Sequence, residues 1–356
     1  MAPIPKGSTV AVTGGAGFIG SNYLLHCVPS YPAAQFVNLD LLTYAGNLAN
    51  LRQIESLENY HFERGDVADP VFIRSLFERW QFDTVVHFAA ESHVDRSILD
   101  PGEFVRTNVT GTLTLLQAAK EAWKDRFDEC RFHHISTDEI FGSLGLDGEF
   151  REDTAYAPRS PYAASKAAAD HLVRSFGTTY GFPYVMTNTS NNYGPFQFPE
   201  KLIPLVIRNA SERKEIPVYG KGENIRDWLY VTDHCEALDL VLRQAATEDT
   251  FLIGGSQEVT NLDLVHLLLD VYDRQTSNEP GRSRELIRFV GDRPGHDFRY
   301  ALDSSPIQNR LGWTPKHDLT SGLEATVAWY LDNQEWMDAI FGKDYLAYYE
   351  VQYGNR

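Results

Sequence analysis

A glycine-rich turn near the start of the chain constrains the possible folds more than any other stretch. The β-branched run Ser8–Thr13 predicts a buried strand, and Gly14–Gly20 leads from it directly into an apolar helical pattern. The glycines match G-x-G-x-x-G if the motif begins at Gly15, and match G-x-x-G-x-x-G equally well if it begins at Gly14. Either spacing lets a pyrophosphate approach the backbone and rest on the helix N-terminus. A turn of this composition can also be purely structural.

The next predicted strand favours the nucleotide interpretation. Gln35–Leu39 ends in Asp40, about 20 residues after the last glycine. A carboxylate there can accept hydrogen bonds from both ribose hydroxyls of an adenosine and would repel a 2′-phosphate, which favours NAD over NADP. The alternative is a solvated aspartate in a turn.

Strand and helix patterns alternate from Ser8 to about Phe182, which indicates βαβ units and a parallel sheet. The remaining predicted elements are the strands Tyr60–Arg64, Thr84–Ala90, Phe132–Ile135 and Tyr184–Thr189, and the helices Pro70–Trp80, Pro101–Ala122 and Pro161–Tyr180. A loop rich in polar and aromatic residues begins at Asn191, and Thr250–Ile253 is predicted to return to the sheet. We therefore expect an α/β fold, a Rossmann doubly wound parallel sheet with a smaller C-terminal substrate-binding lobe.

Charge and cysteine content narrow the class of protein. A formal net charge of -17 disfavours nucleic acid as a partner, and an anionic substrate would need a local cluster of cationic groups. Cys27, Cys130 and Cys235 lie far apart, so we expect reduced thiols, no metal site and a cytoplasmic protein. The N-terminal residues lack a signal-peptide core, and no apolar run of about 18 residues predicts a membrane span.

Two neighbouring motifs could carry acid–base chemistry. Thr137, Asp138 and Glu139 follow a predicted strand, and the carboxyl ends of parallel strands are where such sheets bind ligands. Tyr162 and Lys166 are four residues apart and share one face of a helix, for which Ser160-Pro161 is a suitable start. A nearby lysine is expected to lower the tyrosine pKa so that the phenol can take a proton from an alcohol.

Each of these motifs has a plainer interpretation. Tyr-x-x-x-Lys occurs by chance in many proteins, and Asp138-Glu139 could be a solvated acidic loop. The polar loop Glu91–Ser97 could line a site, or His93, Asp95 and Arg96 could simply cap the next helix. These alternatives weaken because the motifs occur together in one predicted sheet.

Taken together, the motifs resemble the extended short-chain dehydrogenase/reductase family, over about residues 8 to 325. The Thr-Asp-Glu triplet is similar to that of its dTDP-glucose 4,6-dehydratase members. The matching blocks are Thr13–Gly20, His87–Ala90, Tyr162–Lys166, Asp40–Asn47, Ala89–Ser97, Ser190–Pro195, Phe198–Pro204, Arg226–Val231 and Gly291–His296. Ile140-Phe141 replaces the Val-Tyr of that pattern, and the aromatic tail Phe341–Tyr353 does not align.

The resemblance implies a mechanism for dTDP-glucose as substrate. Tyr162 removes the C4 hydroxyl proton while C4 hydride passes to NAD, and Thr137 bonds the same oxygen. The C4 ketone acidifies the C5 hydrogen, for which Glu139 is the expected base. Asp138 is the expected acid at the departing C6 hydroxyl, after which hydride returns to C6. Burial beside Glu139 should raise the pKa of Asp138, as this role requires.

The resemblance also implies the residues that bind the two ligands. The expected NAD contacts are Gly14, Gly17, Phe18, Ile19, Gly20, Asp40, Leu41, Leu42, Thr43, Asp66, Val67, Ala89, Ala90, Ser92, Thr107, Tyr162, Lys166 and Asn192. The expected substrate contacts are Ser92, Thr137, Asn191, Lys201, Leu202, Pro217, Tyr219, Arg226, Asn261, Arg293 and His296, among which Arg226, Arg293 and His296 would form a cationic clamp on the diphosphate and nucleoside.

The expected domains are an NAD-binding domain over 1–192, to which 232–262 returns, a sugar-nucleotide-binding lobe over 193–231 and 263–345, and a tail over 346–356. The helices Pro101–Ala122 and Pro161–Tyr180 carry small residues, and the resemblance implies that such helices pair in a homodimer. A nucleotide-sugar 4-epimerase, a dehydratase acting on UDP- or CDP-glucose, and a catalytically silent binding protein are the alternatives.

Overall fold

The computed structural model describes residue 4, residues 7–292 and residues 295–340. Its strands are β1 Thr9–Thr13, β2 Gln35–Asp40, β3 Tyr60–Arg64, β4 Thr84–His87, β5 Arg131–Thr137, β6 Tyr184–Thr189, β7 Asn191–Tyr193, β8 Ile216–Tyr219, β9 Ile225–Tyr230, β10 Thr250–Ile253, β11 Glu258–Thr260 and β12 Ile287–Val290. Its helices are α1 Phe18–Ser30, α2 Pro70–Trp80, α3 Val94–Leu99, α4 Pro101–Phe104, α5 Thr112–Trp123, α6 Pro161–Tyr180, α7 Leu202–Ser211, α8 Val231–Gln244, α9 Asn261–Gln275, α10 Ser305–Leu311, α11 Leu319–Asp332 and α12 Gln334–Ile340. Arg293 and the predicted tail 346–356 lie outside the described residues.

A seven-stranded sheet in the order β10-β6-β5-β4-β1-β2-β3 forms the centre of the molecule. Every pairing in it is parallel. The chain proceeds from β1 to β2 and β3 in one direction and then crosses to β4 on the other side of β1. That reversal opens a crevice at the carboxyl ends of β1 and β4, where sheets of this kind bind ligands. The predicted doubly wound parallel sheet is confirmed.

Alternation along the strands divides the core into two layers. In β1, Val10 and Val12 face the layer that contains α1 and α8, whereas Ala11 faces the layer of α2, α5 and α6. Side chains alternate between the two faces of a strand, so the strands become apolar on both faces when helices cover both sides. Burying two apolar faces fixes the register of the sheet and therefore the positions of its strand ends.

The predicted helix Pro101–Ala122 is continuous but irregular. It runs from α4 through a π-helical segment, Val105–Gly111, into α5. Single π-turns of this type are frequent at functional sites. The segment places Asn108 beside the loop that follows β4, and nothing in its composition indicates the change of helical period.

A second core lies beyond the sheet and is built from the later part of the chain. α7, α9 and α11 pack around two small sheets, β11-β9-β7 and β12-β8. Tyr193, Trp228 and Leu268 are among its buried side chains. β7 follows β6 after one residue, so this core begins directly at the carboxyl edge of the large sheet.

Candidate active site

A cavity of about 330 Å³ opens at the carboxyl ends of the central strands. Its wall includes the glycine turn after β1, the loops after β2 and β4, the end of β5, the start of α6, and the segment around β7. The five residues expected to act in catalysis all line it, and so do all the expected cofactor contacts except Leu42. The cavity therefore brings together motifs that are separated by almost 190 residues of sequence, from Gly14 to Lys201.

The glycine turn packs directly against the backbone that follows β4. Gly14 has a φ of +70°, and a Cβ there would lie 2.7 Å from the backbone nitrogen of Ala89. A Cβ at Gly20 would lie 2.3 Å from the carbonyl oxygen of Gly14. Gly14, Gly17 and Gly20 line the cavity, whereas a Cβ at Gly15 would meet Asn38 and Leu24 in the core. The spacing that begins at Gly14 is therefore the one that borders the cavity.

Asp40 is a buried anchor for the turn and for the loop that follows β2. Its two carboxylate oxygens accept hydrogen bonds from the backbone N–H groups of Ala16 (3.0 Å) and Leu42 (2.8 Å). Burial raises the pKa of Asp40, and these two backbone hydrogen bonds oppose the rise. Each oxygen retains a lone pair for a further hydrogen bond, and Asp40 lines the cavity. Leu42 supports the site through its N–H and does not line the cavity.

The far rim of the cavity is formed by the end of β3 and the π-helical segment. Asp66 accepts a hydrogen bond from Ala68 N–H at 2.8 Å and is ion-paired with Arg106 at 2.5 Å. Thr107 lines the cavity on the same side and donates its hydroxyl to Glu103. The rim therefore joins two elements that are distant in sequence.

The polar loop after β4 both caps a helix and lines the cavity. His93 is the N-cap of α3 and accepts a hydrogen bond from Arg96 N–H at 3.4 Å. Glu91 and Ser92 line the cavity, and the Ser92 carbonyl accepts a hydrogen bond from Lys201 Nζ at 3.1 Å. The two interpretations that the sequence leaves open are therefore both correct for different residues of this loop.

Asn108 holds the same loop from the π-helical segment. Its side-chain oxygen accepts from Glu91 N–H (2.8 Å), and its amide donates to the Glu91 carbonyl (2.9 Å) and to Ser165 (2.8 Å). The residue is only 1% exposed. Sequence patterns give no signal for it, because the contact depends on the π-turn.

The acidic pair lies where β5 ends. Thr137 is the last residue of β5, and its side chain accepts a hydrogen bond from Glu139 N–H at 3.3 Å, which caps the 3-10 turn Asp138–Phe141. The Thr137 hydroxyl donates to Asp138 Oδ1 at 3.2 Å. Asp138 and Glu139 both line the cavity.

Asp138 has the electrostatic setting of an acid. It is 2% exposed, and its Oδ2 has no hydrogen-bond partner among the described residues. Burial, followed by the charge of Glu139, raises its pKa well above the usual range, while Arg226 and the hydrogen bond from Thr137 oppose the rise. The expected rise in the pKa of Asp138 and its two expected causes are confirmed.

α6 begins as expected and carries Tyr162 and Lys166 into the cavity wall. The Ser160 side chain caps it by accepting from Ala163 N–H at 3.1 Å, and Pro161 occupies the first helical position. Tyr162 is 8% exposed and Lys166 is 5% exposed. Lys166 Nζ donates to the Ile135 carbonyl at 2.8 Å, which ties the helix to β5.

The expected lowering of the tyrosine pKa is wrong for the chain by itself. Burial is the main cause that raises the pKa of Tyr162, and the charge of Glu139 adds to it, while a hydrogen bond to Thr137 opposes it. The same burial lowers the pKa of Lys166 to about 8. Burial and the charge of Glu139 therefore decide the direction of the Tyr162 pKa shift, despite the lysine one helical turn away.

Sequence reasoning missed Asp170, which lies one turn beyond Lys166 on α6. Its carboxylate is fully buried and accepts from Tyr156 (3.1 Å) and Asn188 (3.3 Å), with His134 Nε2 at 3.0 Å. Its charge opposes the fall in the pKa of Lys166. The i, i+4 spacing from Lys166 is a signal that could have identified it.

Glu200 is a second missed residue on the cavity wall. It is 7% exposed and accepts hydrogen bonds from Arg96 Nε (3.1 Å) and the Tyr44 hydroxyl (3.1 Å). The Arg96 guanidinium also lies 3.8 Å from the centre of the Tyr44 ring. Glu200 thus ties together the loops after β2, β4 and β7, and no local pattern in the sequence shows this role.

The expected substrate contacts divide into two groups. Ser92, Thr137, Asn191 and Lys201 line the cavity, and Asn191 Oδ1 is a buried acceptor without a partner among the described residues. The rest of the described set does not line the cavity: Leu202, Pro217, Tyr219, Arg226, Asn261 and His296.

Arg226 is held by backbone contacts, and its charge acts on Asp138. Its guanidinium donates to the carbonyls of Asp297 and Phe298 and lies 4.3 Å from the centre of the Tyr300 ring. Its charge opposes the rise in the pKa of Asp138. His296 lies beside Asp292 at 2.7 Å, and Tyr219 donates to Asp95 at 3.3 Å. These groups do not line the cavity.

The donor and acceptor groups of the cavity fit a dinucleotide. Gly14, Gly17 and Gly20 line the cavity without side chains, Asp40 also lines it, and the cavity extends from there to Tyr162. Across residues 7–292 and 295–340, no helix is both long and apolar enough to span a bilayer. The same residues contain no group of three or more side chains arranged as metal ligands.

Comparison with known proteins gives consistent matches over nearly the whole chain. The family model described as GDP-mannose 4,6 dehydratase matches residues 11–326. A dTDP-glucose 4,6-dehydratase of Xanthomonas campestris pv. campestris (strain B100) is 50% identical over 343 residues, which cover 95% of this chain and 97% of the relative. The solved structure of dTDP-glucose 4,6-dehydratase from Bacillus anthracis in complex with NAD has a TM-score of 0.84 and 40% identity, and covers 94% of this chain and 99% of that one. The solved structure of the enzyme of the same name from Streptomyces venezuelae, also with NAD bound, has a TM-score of 0.85 and 42% identity. That match covers 93% of this chain and 99% of that one.

Proposed function

The chain belongs to the dTDP-glucose 4,6-dehydratase family, and on that premise we propose that it converts dTDP-glucose to dTDP-4-keto-6-deoxyglucose with bound NAD. The observation that carries the proposal is the pair of neighbouring carboxylates, the buried Asp138 and the half-buried Glu139, which shares one cavity with Tyr162 and the glycine turn. A 4-epimerase would need the tyrosine and the cofactor but no acid and base for C6 and C5.

NAD fits the part of the cavity between the glycine turn and Tyr162, and when bound it supplies reversible hydride transfer. Gly14, Gly17 and the N-terminus of α1 would hold the pyrophosphate, and Asp40 would accept the ribose hydroxyls. Lys166 keeps a positive charge below pH about 8 and would orient the nicotinamide ribose beside Tyr162. The remaining predicted cofactor contacts that line the cavity complete this binding surface.

The residues at the end of β5 and on α6 would move protons at defined sugar atoms. Tyr162 would remove the C4 hydroxyl proton, with Thr137 bonded to the same oxygen. Oxidation at C4 acidifies the C5 hydrogen because the resulting carbanion spreads onto the ketone oxygen, and Glu139 would take that proton. Asp138 would give its proton to the C6 hydroxyl as water departs, which its raised pKa allows near neutral pH.

The substrate would extend from the cavity toward the second core. Ser92, Asn191 and Lys201 would contact the hexose and the adjoining phosphate. We propose Tyr219, Asn261, Arg226, Arg293 and His296 as contacts of the nucleotide end, together with Leu202 and Pro217. Arg226, Arg293 and His296 would form the cationic clamp on the diphosphate and nucleoside. The hydrogen bonds of Arg226 to backbone carbonyls would hold its guanidinium in place. The division into an NAD-binding domain and a sugar-nucleotide lobe follows from this placement.

We also propose a cytoplasmic homodimer. Support for the dimer comes from Ile98, Leu99 and Val105, which are 41%, 65% and 52% exposed beside α6 and the π-helical segment. Apolar side chains so exposed on adjoining helices are typical of an interface. Support for a reducing compartment comes from Cys27, Cys130 and Cys235, which are free and buried.

Incubation with dTDP-glucose, and separately with UDP-glucose, tests the function. We expect mass spectrometry to show loss of water from dTDP-glucose. A product of unchanged mass with an inverted C4 would identify an epimerase, and loss of water from neither substrate would contradict a dehydratase.

Asp138→Asn separates the acid from the base. The variant should lose about 10²- to 10⁴-fold in water elimination, because the departing hydroxyl loses its acid. C4 oxidation should persist, so reduced nicotinamide should accumulate after mixing with substrate, as measured by its absorbance.

Glu139→Gln is the matched variant for that experiment. In deuterated water, Asp138→Asn should still exchange the C5 hydrogen of the substrate, whereas Glu139→Gln should not, as measured by mass spectrometry. If exchange were lost in Asp138→Asn and kept in Glu139→Gln, the two roles would be reversed.

A further inference from the structure

A chain of hydrogen bonds joins α12, near the end of the described chain, to the glycine-rich turn near its beginning. Trp336 Nε1–H donates to Asn50 Oδ1 at 2.7 Å, and Asn50 Nδ2 donates to the Ala16 carbonyl at 3.1 Å. Asn50 is only 3% exposed. Because an indole N–H can only donate, it requires the amide oxygen of Asn50 on its side and leaves the NH₂ group for Ala16.

Ala16 is thereby held from both sides. Its N–H donates to Asp40 Oδ2 at 3.0 Å, and its carbonyl accepts from Asn47 N–H at 2.9 Å as well as from Asn50. Ala16 is the residue just before Gly17, which lines the cavity. The amide of Asn50 and the carboxylate of Asp40 therefore fix the orientation of the same turn.

Trp336 is itself held in an aromatic cluster formed by Phe196, Trp329, Tyr330 and Trp336. Its ring centre lies 5.0 Å from that of Trp329, 5.9 Å from that of Phe196 and 6.2 Å from that of Tyr330. These tilted, edge-on contacts are the favoured geometry for aromatic pairs. The cluster gives the indole N–H a fixed direction toward Asn50.

The aromatic cluster also reaches the opposite side of the cavity. The Tyr330 hydroxyl donates to the Gln197 carbonyl at 2.6 Å, and Gln197 Nε2 donates to the Asn192 carbonyl at 2.9 Å. Gln197 and Asn192 both line the cavity. One cluster outside the cavity thus contacts two parts of its wall.

We propose that Trp336 and Asn50 are positioning residues that hold the glycine-rich turn in the shape that receives the pyrophosphate of NAD. The inference rests on the proposed use of NAD. Under this proposal, α12 contributes to NAD affinity although Trp336 lies outside the cavity. Neither side chain lines the cavity, so the effect passes through the Ala16 carbonyl.

Trp336→Phe tests the proposal, because phenylalanine keeps an aromatic ring in the cluster and removes the donor. Trp329→Phe is the matched control, since it makes the same change in the same cluster away from Asn50. Titration calorimetry with NAD on cofactor-stripped protein should show affinity weakened about two- to tenfold for Trp336→Phe and unchanged for Trp329→Phe. kcat at saturating NAD should be unchanged in both variants.

The Asn50→Ala variant adds a second measurement. Because both residues act through one chain of bonds, adding Trp336→Phe to Asn50→Ala should weaken NAD binding no further. Multiplication of the two effects would overturn the proposal, as would equal NAD affinity in Trp336→Phe and the wild type. Failure of the wild-type chain to bind NAD in the same titration would instead contradict the proposed function.

Discussion

At the scale of single residues, burial accounts for most of the unusual chemistry. Asp138, Tyr162 and Lys166 all lie in one water-poor wall, and burial is the first cause of each pKa change. Burial favours the uncharged form of every one of these groups. The same environment therefore raises the pKa of the acid Asp138 and lowers the pKa of Lys166 to about 8. Both changes bring the groups closer to titrating near neutral pH, which is useful for proton transfer.

Lys166→Met should change how stability depends on pH. The pKa of Lys166 is lowered from 10.5 to about 8 in the folded chain. Between those values the unfolded chain binds more protons, so the wild type gains stability as pH rises, and below about pH 8 the cost of the buried charge is present in full. The wild type should gain about 3 kcal/mol relative to Lys166→Met between about pH 7.5 and pH 10.5.

Urea unfolding of both proteins at several pH values in that window measures this difference. Lys124→Met is the control, because the Lys124 side chain, at the C-cap of α5, is 61% exposed. A Lys166→Met curve parallel to that of the wild type would mean that the amine is not desolvated in solution.

At the scale of elements, the strand–turn–helix unit β1–α1 depends on close backbone contact. Its position was predictable, because β-branched residues, glycines and an apolar helix follow in order. The partner of the turn was not predictable, since the contact between Gly14 and Ala89 requires β4 to lie next to β1. Asn108 and Glu200 were missed for the same reason, because their partners come from other elements.

Gly14→Ala should weaken this unit in two ways. The φ of +70° is strained for alanine, and the new Cβ would lie 2.7 Å from Ala89 N. Gly281→Ala isolates the first effect, since Gly281 has a φ of +81° and a Cβ added there would meet nothing within 4 Å. We expect a loss of about 1 kcal/mol in unfolding free energy for Gly281→Ala and clearly more for Gly14→Ala.

The comparison is made by urea denaturation, with NAD binding as a second measurement. Gly14→Ala should also weaken NAD binding, whereas Gly281→Ala should not. Equal losses of stability in the two variants would show that the turn can move away from Ala89.

At the scale of the whole molecule, the site lies between the large sheet and the second core. The parallel sheet and the position of the catalytic motifs at its carboxyl edge follow from periodicity and motif spacing, whereas the order of the strands was not predicted. The second core was harder to predict, because its strands are short and its ligand-facing residues come from several loops. Arg226 illustrates this, because its backbone partners Asp297 and Phe298 lie 71 and 72 residues further along the chain.

Val105→Asp should dissociate the proposed homodimer. Val105 is 52% exposed on the proposed interface, and a carboxylate there would be buried against a second copy without a partner. Val71→Asp is the control, because Val71 is 78% exposed on α2, outside the proposed interface. Sedimentation should show a monomer only for Val105→Asp, and a monomeric wild type would contradict the dimer.

The edge strand β10 has a consequence for how the protein is made. It completes the large sheet beside β6, yet it follows β7, β8 and β9 in the chain. α8, the helix that precedes β10, packs against α1, the helix that follows β1. Much of the second core is therefore synthesised before β10 can complete the large sheet. Contacts so distant in sequence slow folding, and until they form, the growing chain exposes the edge of β6. Synthesis of this protein should accordingly depend on chaperones more than its final compactness indicates.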